Sequence, residues 1–177
     1  MTQPADKKDR RRRIVLAVGV LLVAFLVAAS GSTYQIRTEI EIDQSAEAVW
    51  AAFSDFESYP DWNPFITRIE GDMAVGSKLD VMLQQPGGDA MGFTPTVTEL
   101  EPGERFAWLG HLGLPRVFDG AHYFEVEDLG GGRSRFVQGE KFRGLLVPFF
   151  RSMLDGQTTD GFERMNQALK ARVETPD

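Results

Sequence analysis

The chain has 177 residues, of which 42% are hydrophobic and 25% charged, with no cysteine, two histidines and a formal charge of −7. The missing cysteines exclude disulfides, thiolate nucleophiles and Cys-ligated metals, and two histidines fall short of the three or four protein ligands of a zinc site. Charge is unevenly spread: the first thirteen residues, MTQPADKKDRRRR, hold six basic and two acidic side chains, which leaves 13 basic against 24 acidic, or −11, for the remainder. So acidic a remainder is a poor match for nucleic acid, whose affinity rests on neutralising phosphates, and should be repelled by anionic lipid headgroups.

Residues 14–29, IVLAVGVLLVAFLVAA, carry no charge, and the uncharged run continues through Thr33 to Gln35 and Ile36. That is enough chain to cross about 30 Å of hydrocarbon. The arginines before it, Arg10 to Arg13, place the leading end on the cytoplasmic side. The expected organisation is a basic tail over 1–13, a transmembrane anchor over 14–33 and one domain over 34–174. This makes a single-pass protein of the cell membrane with its domain on the non-cytoplasmic side. A cleaved secretory signal is the competing reading, with Val27-Ala28-Ala29 or Ala28-Ala29-Ser30 as the cleavage site, and the domain would then be secreted. A buried core helix is the third. The roughly 144 residues that follow suffice for one domain with a sizeable core.

Tyr34, Ile36, Thr38, Ile40 and Ile42 alternate with Arg37, Glu39 and Glu41, the period-two pattern of a half-buried strand over 34–43. Ser45 then caps a helix whose stripe is Val49, Trp50, Phe53 and Phe56. The prolines of YPDWNPF, 59–65, mark a break or a short second helix. Strands are expected over 66–70, 78–84, 93–100, 105–109, 117–127 and 133–142, the last two forming a hairpin around Leu129-Gly130-Gly131-Gly132. Last comes LVPFFRSMLDGQTTDGFERMNQALKARV, 146–173, with apolar residues at helical spacing. Pro148 suits its first turn, and at roughly 1.5 Å per residue the helix would run about 40 Å. Gly156 and Gly161 interrupt it, each costing about 1 kcal/mol against alanine. Either the sequence drifts there on an exposed face, or the helix is kept thin where something lies close. Antiparallel strands closed by one long helix define an α+β architecture.

Five segments in this order, YPDWNPF, EPGERFAWLG (101–110), FDGAHYFEVE (118–127), QGEKFRG (138–144) and GFERMNQALKARVE (161–174), resemble the START-related, Bet v 1-like (SRPBCC) superfamily. Within it, the similarity is to the bacterial polyketide cyclase/dehydrase-like ligand-binding domains. The resemblance covers residues 34 to about 174. It implies a helix-grip fold, in which a curved antiparallel sheet wraps the C-terminal helix, and an elongated cavity between them for lipids, polyketides, quinones or other apolar molecules. The group shares a cavity and not a catalytic set, so fold alone does not give function.

If Phe118, Phe124, Phe136 and Phe142 face that cavity, strand parity carries His122, Gln138 and Glu140 inward with them. The candidate ligand-binding set is these seven residues with Trp108, Met153, Gly156 and Gly161. His122 and Glu140 either orient a ligand or satisfy each other as ordinary buried polar groups; a third arrangement turns the whole face outward. His111 lies in a Gly/Pro loop, at the expected rim. Phe149, Phe150 and Leu112 to Pro115 would stand near the mouth as a lid, as ordinary packing, or against the bilayer. The expected function is binding of a hydrophobic small molecule or lipid, with no metal, cofactor or obligatory reaction. The alternative is a cyclase- or dehydratase-type enzyme using His122 and Glu140 as base and orienter.

Overall fold

The computed structural model describes residues 9–20 and 31–175. Residues 9–20 are helical and exposed. The remaining residues assigned to the membrane anchor, 21–30, lie outside the described residues. Among the described residues no helix is long and apolar enough to cross a membrane.

The chain enters the domain in β1 (Thr33–Ile42) and continues as α1 (Ala46–Ser54), a 3₁₀ turn (Phe56–Ser58) and α2 (Tyr59–Trp62). Six strands occupy the middle: β2 (Ile66–Glu70), β3 (Asp80–Gln84), β4 (Ala90–Phe93), β5 (Thr96–Glu101), β6 (Arg105–His111) and β7 (Asp119–Gly130). Then come β8 (Arg133–Arg143), α3 (Val147–Met153), a π-helical turn (Leu154–Thr158) and α4 (Thr159–Glu174). All pairings are antiparallel, in a five-stranded sheet β1-β8-β7-β6-β5 and a three-stranded sheet β2-β3-β4. A bridge between Lys78 and Thr96 joins the two. The α+β helix-grip expectation thus holds, with two differences.

The strand expected over 93–100 is two strands, because Pro95 cannot donate to a ladder and the chain passes there from one sheet to the other. The helix expected over 146–173 is helical throughout but changes pitch at Gly156. The π turn inserts a residue there, and the Thr159 hydroxyl donates to the Leu154 carbonyl at 3.1 Å. Local signals that act within a few residues gave the expected result. Ser45 Oγ accepts from the Ala48 amide at 3.2 Å, and Gly130, Gly131 and Gly132 take positive φ in the β7–β8 hairpin.

Side chains on the concave face fall in rows across the strands. One row reads Thr38, Gln138, Phe124, Phe106; the next Ile36, Glu140, His122, Trp108; the next Tyr34, Phe142, Gly120, Gly110. Against the first row packs the buried stripe of α4, Phe162, Met165, Asn166 and Leu169, with Phe53 of α1 lying 4.8 Å from Phe124 and 5.5 Å from Phe136. Large rings thus fill one half of the interior. Gln138 Nε2 donates to the Phe162 carbonyl at 2.9 Å and to Asn166 Oδ1 at 2.5 Å, and Asn166 Nδ2 donates to Thr38 Oγ1 at 3.0 Å. Sheet and helix are thereby bonded through buried side chains, which such polar groups require.

Gly161 is thin because Phe65 lies on it: a Cβ there would run into the Phe65 ring. Around Gly156 a Cβ would meet nothing within 4 Å. Gly161→Val is therefore expected to cost about 1–3 kcal/mol by overpacking. Gly156→Ala should leave stability unchanged or raise it by up to about 1 kcal/mol. Thermal denaturation of the two variants separates them, and equal losses would contradict this packing.

Candidate functional site

Beyond the aromatic half, the row of Gly110 and Gly120 carries no side chains of its own, and the interior opens into a cavity of about 220 Å³. Its floor is Gly110, Gly120, His122, Glu140 and Phe142. One wall is Leu83, Met91 and Phe93 of the small sheet, and the other is Phe150, Met153, Leu154 and Thr158 of the helix. Phe65 closes the inner end, and His111, Leu112 and Phe118 stand at the outer one. Two larger hollows, about 660 Å³ beside Trp50 and about 880 Å³ beside Asn166, are open surface grooves edged by charged residues. The 220 Å³ cavity is the one on whose lining His122 and Glu140 stand.

The expected site residues divide. Phe118, His122, Glu140, Phe142 and Met153 line the cavity. Trp108, Phe124, Phe136 and Gln138 do not: they share the concave face, but Trp108 and Phe124 support His122 from behind, Phe136 packs on Phe53, and Gln138 is committed to α4. Gly156 and Gly161 also lie outside the lining. Strand parity gives the face correctly and says nothing of depth along it. The structure adds Phe65, Leu83, Phe93, Gly110, Gly120 and Thr158. Of these, the glycines had a visible signal, since Gly110 and Gly120 share the parity of Trp108 and His122.

Gly120 has a specific task. A Cβ on it would overlap Glu140 Oε1 and lie 3.2 Å from Glu140 Cδ, so the carboxyl occupies the space glycine leaves. Burial without a charged partner pushes the Glu140 carboxyl up to about 8. His122 lies between Phe124 and Phe162, with ring centroids 4.3 and 4.6 Å away. Burial lowers the imidazole to about 3, with Gln138 opposing weakly. At neutral pH the imidazole is uncharged and most of the carboxyl is protonated. His122 Nδ1 stands 3.8 Å from Glu140 Oε2, beyond hydrogen-bond reach. Among the described residues His122 Nε2, Thr158 Oγ1 and Gln138 Oε1 have no hydrogen-bond partner, and the Thr158 hydroxyl is on the cavity wall. His111, outside this group, holds Asp119 Oδ1 at 2.7 Å at the rim. Among the described residues no cluster of potential metal ligands occurs.

An apolar container built between a curved sheet and a long helix, with a neutral acid and a neutral imidazole on its floor, defines a helix-grip ligand-binding domain. The sequence profile of the family described as polyketide cyclase / dehydrase and lipid transport matches residues 33–174, and the chain belongs to that family. The fold is similar to the ZhuI aromatase/cyclase from Streptomyces sp. R1128, at TM-score 0.67 and 16% identity over 81% of this chain and 94% of that one. It is also similar to a START superfamily protein from Mycobacterium smegmatis, at TM-score 0.63 and 24% identity over 79% and 97%. Norcoclaurine synthase from Thalictrum flavum, in complex with dopamine and hydroxybenzaldehyde, gives TM-score 0.64 and 18% identity over 84% and 91%. At these identities the likeness is one of fold. No curated protein matches the chain.

The two shifted groups set opposite pH limits. Glu140 is raised from 4.5 to about 8, so its contribution to stability is complete below pH 4.5 and is lost as pH rises through about 8. His122 is lowered from 6.5 to about 3, so its contribution is complete above pH 6.5 and is lost as pH falls toward 3. Glu140→Gln removes the first titration and keeps the shape. Urea denaturation should show the variant equal to wild type at pH 4.5 and more stable at pH 9; parallel pH profiles would contradict the buried neutral acid.

Proposed function

We propose that the chain is a binding domain for a hydrophobic small molecule or lipid, held at the membrane by residues 14–33, and that it works without an obligatory chemical step. The observation that carries this reading is the cavity itself: set between sheet and helix and open at one end, mostly apolar, and lined by an acid and an imidazole too far apart to act as a hydrogen-bonded pair. Apolar surface buried there contributes about 25 cal/mol per Å². The protonated Glu140 donates to an acceptor on the ligand, and the Thr158 hydroxyl offers a second polar contact. At about 220 Å³ the space is below the roughly 300–1,000 Å³ of sites that enclose drug-sized ligands. The occupant is therefore slim, or only partly enclosed with its remainder leaving through the mouth.

One observation favours a second reading, an enzyme of cyclase or dehydratase type. Glu140 keeps its proton near neutral pH inside the cavity, as a general acid would. His122 fits less well as its partner base, because an imidazole lowered to about 3 takes up a proton poorly.

His122→Gln and Glu140→Gln in the full chain decide between the two. For a binding domain both variants fold and bind a fluorescent fatty-acid probe about 5- to 150-fold less tightly, the equivalent of about 1–3 kcal/mol for one buried hydrogen bond. For an enzyme, probe binding survives and turnover of candidate polyketide substrates falls by about 10²–10⁴-fold. Attachment is tested separately. A reporter fused after Asp177 should be active on the non-cytoplasmic side, whereas a soluble mature chain starting near Ser30 would replace the anchor with a cleaved signal.

A further inference from the structure

The cavity opens at the end of the domain where the chain enters it. The Gly144 amide donates to the Ser32 carbonyl at 3.2 Å, and Thr33 pairs with Arg143. Leu145 and Leu146 donate in turn to the Arg116 and Val117 carbonyls, at 3.1 and 2.9 Å. The exit of the apolar N-terminal segment, the loop after β6 and the start of α3 are therefore one connected region. Met91, Leu112 and Met153 both line the cavity and stand exposed there. Leu114 on the same loop is 72% exposed, and Phe149 on α3 is 66% exposed.

The loop is a fixed projection. Leu112 donates to the Phe118 carbonyl at 2.8 Å, Val117 to that of Leu114 at 3.1 Å, and the Arg116 amide is held by both Asp119 carboxylate oxygens at 3.0 Å. Charge here departs from the acidic remainder of the domain. Arg37, Arg68, Arg105, Arg133, Arg135 and Arg172 each have a carboxylate within salt-bridge distance. Within the domain Arg116, Arg143, Arg151 and Arg164 have none among the described residues; Arg164 lies in the groove beside Asn166, whereas the first three belong to the loop after β6, the end of β8 and α3, where Arg151 lies over the Tyr34 ring at 5.1 Å. Asp119 and Asp155 on the same segments are hydrogen-bonded by His111 and the Arg116 amide and by the Tyr34 hydroxyl but keep their charge, so three arginines against two carboxylates leave these segments at +1 in a domain that is otherwise acidic.

We propose that this end of the domain docks on an anionic phospholipid bilayer, with Leu112, Leu114 and Phe149 entering the acyl boundary and Arg116, Arg143 and Arg151 against lipid phosphates. The mouth then opens into the membrane, and the ligand passes between bilayer and cavity without crossing water. Exposed apolar side chains ringed by cations are what an interfacial surface requires, and the length of chain from the apolar run to Ser32 is too short to hold the domain far from the membrane. The docking rests on the reading of residues 14–29 as membrane-inserting.

Because the chain has no cysteine, single labels are unambiguous. Leu114→Cys, Phe149→Cys and, about 30 Å away at the other end of β8, Arg133→Cys are each labelled with NBD in the full chain. The proteins are reconstituted in phosphatidylcholine vesicles containing phosphatidylglycerol. Labels at 114 and 149 should shift to the blue and be quenched by lipids spin-labelled near the top of the acyl chain, while the label at 133 stays in water. Adding Arg116→Ala or Arg151→Ala, or removing phosphatidylglycerol, should lower the docked-to-undocked ratio, about fivefold for each arginine. Emission at 114 and 149 indistinguishable from that at 133 overturns the proposal, as does quenching that ignores both arginines and lipid charge. Probe binding by the same chains in detergent micelles reports the cavity without a bilayer. A chain that binds probe there but leaves both labels unquenched in vesicles has lost the docking and kept the binding function.

Discussion

Gln138 donates from the concave face of the sheet to two acceptors on the helix that crosses it, and Asn166 passes the chain of bonds to Thr38 on β1. All three polar side chains are buried, so leaving one unpaired would cost about 1–3 kcal/mol. That penalty fixes where α4 lies along the sheet and which of its faces turns inward. Once it is fixed, Phe162 lies over His122 and Gly161 meets Phe65. The aromatic half of the interior and the cavity half are both measured from this clamp.

The cavity stays open because of what its floor lacks. An interior normally closes on voids, since unfilled space forfeits dispersion contacts. Here a glycine pair lies in the floor, with the Phe93 ring against Gly110 and the Glu140 carboxyl reaching over Gly120. The arrangement costs stability in a specific way: an acid is set in largely apolar surroundings and answers by holding its proton. His122 answers the same burial by losing its proton. Two groups with opposite charge chemistry become a neutral pair, which suits an apolar occupant better than an ion pair would.

Much of this was legible in the residues, and the illegible part has physical causes. Alternation in β1 and in the β7–β8 hairpin exposed the concave face, since period two is a property of each strand alone. The order of elements pointed to the α+β grip, and the motifs to its family. Depth was not legible: nothing within β8 distinguishes Gln138, bonded to α4, from Glu140, open to the cavity, because the difference is made by Asn166 and Gly120 elsewhere in the chain. Pro95 was the signal that one expected strand was two. For Gly161 the residues left two readings open, an exposed position or a place of close approach beside a ligand; the helix is approached closely there, but by the Phe65 core ring.

The π turn at Leu154–Thr158 divides the C-terminal helix into two segments that need not share a phase. A regular helix repeats its facing direction every 3.6 residues, so any insertion or repacking near its start would rotate everything downstream. With the surplus residue already absorbed at Gly156, the rim segment carrying Phe149, Phe150 and Met153 can be recut without turning Phe162, Met165 or Leu169 away from the sheet. The scaffold is modular at this joint: one helical segment can diversify to suit a new occupant while its neighbour keeps the domain folded.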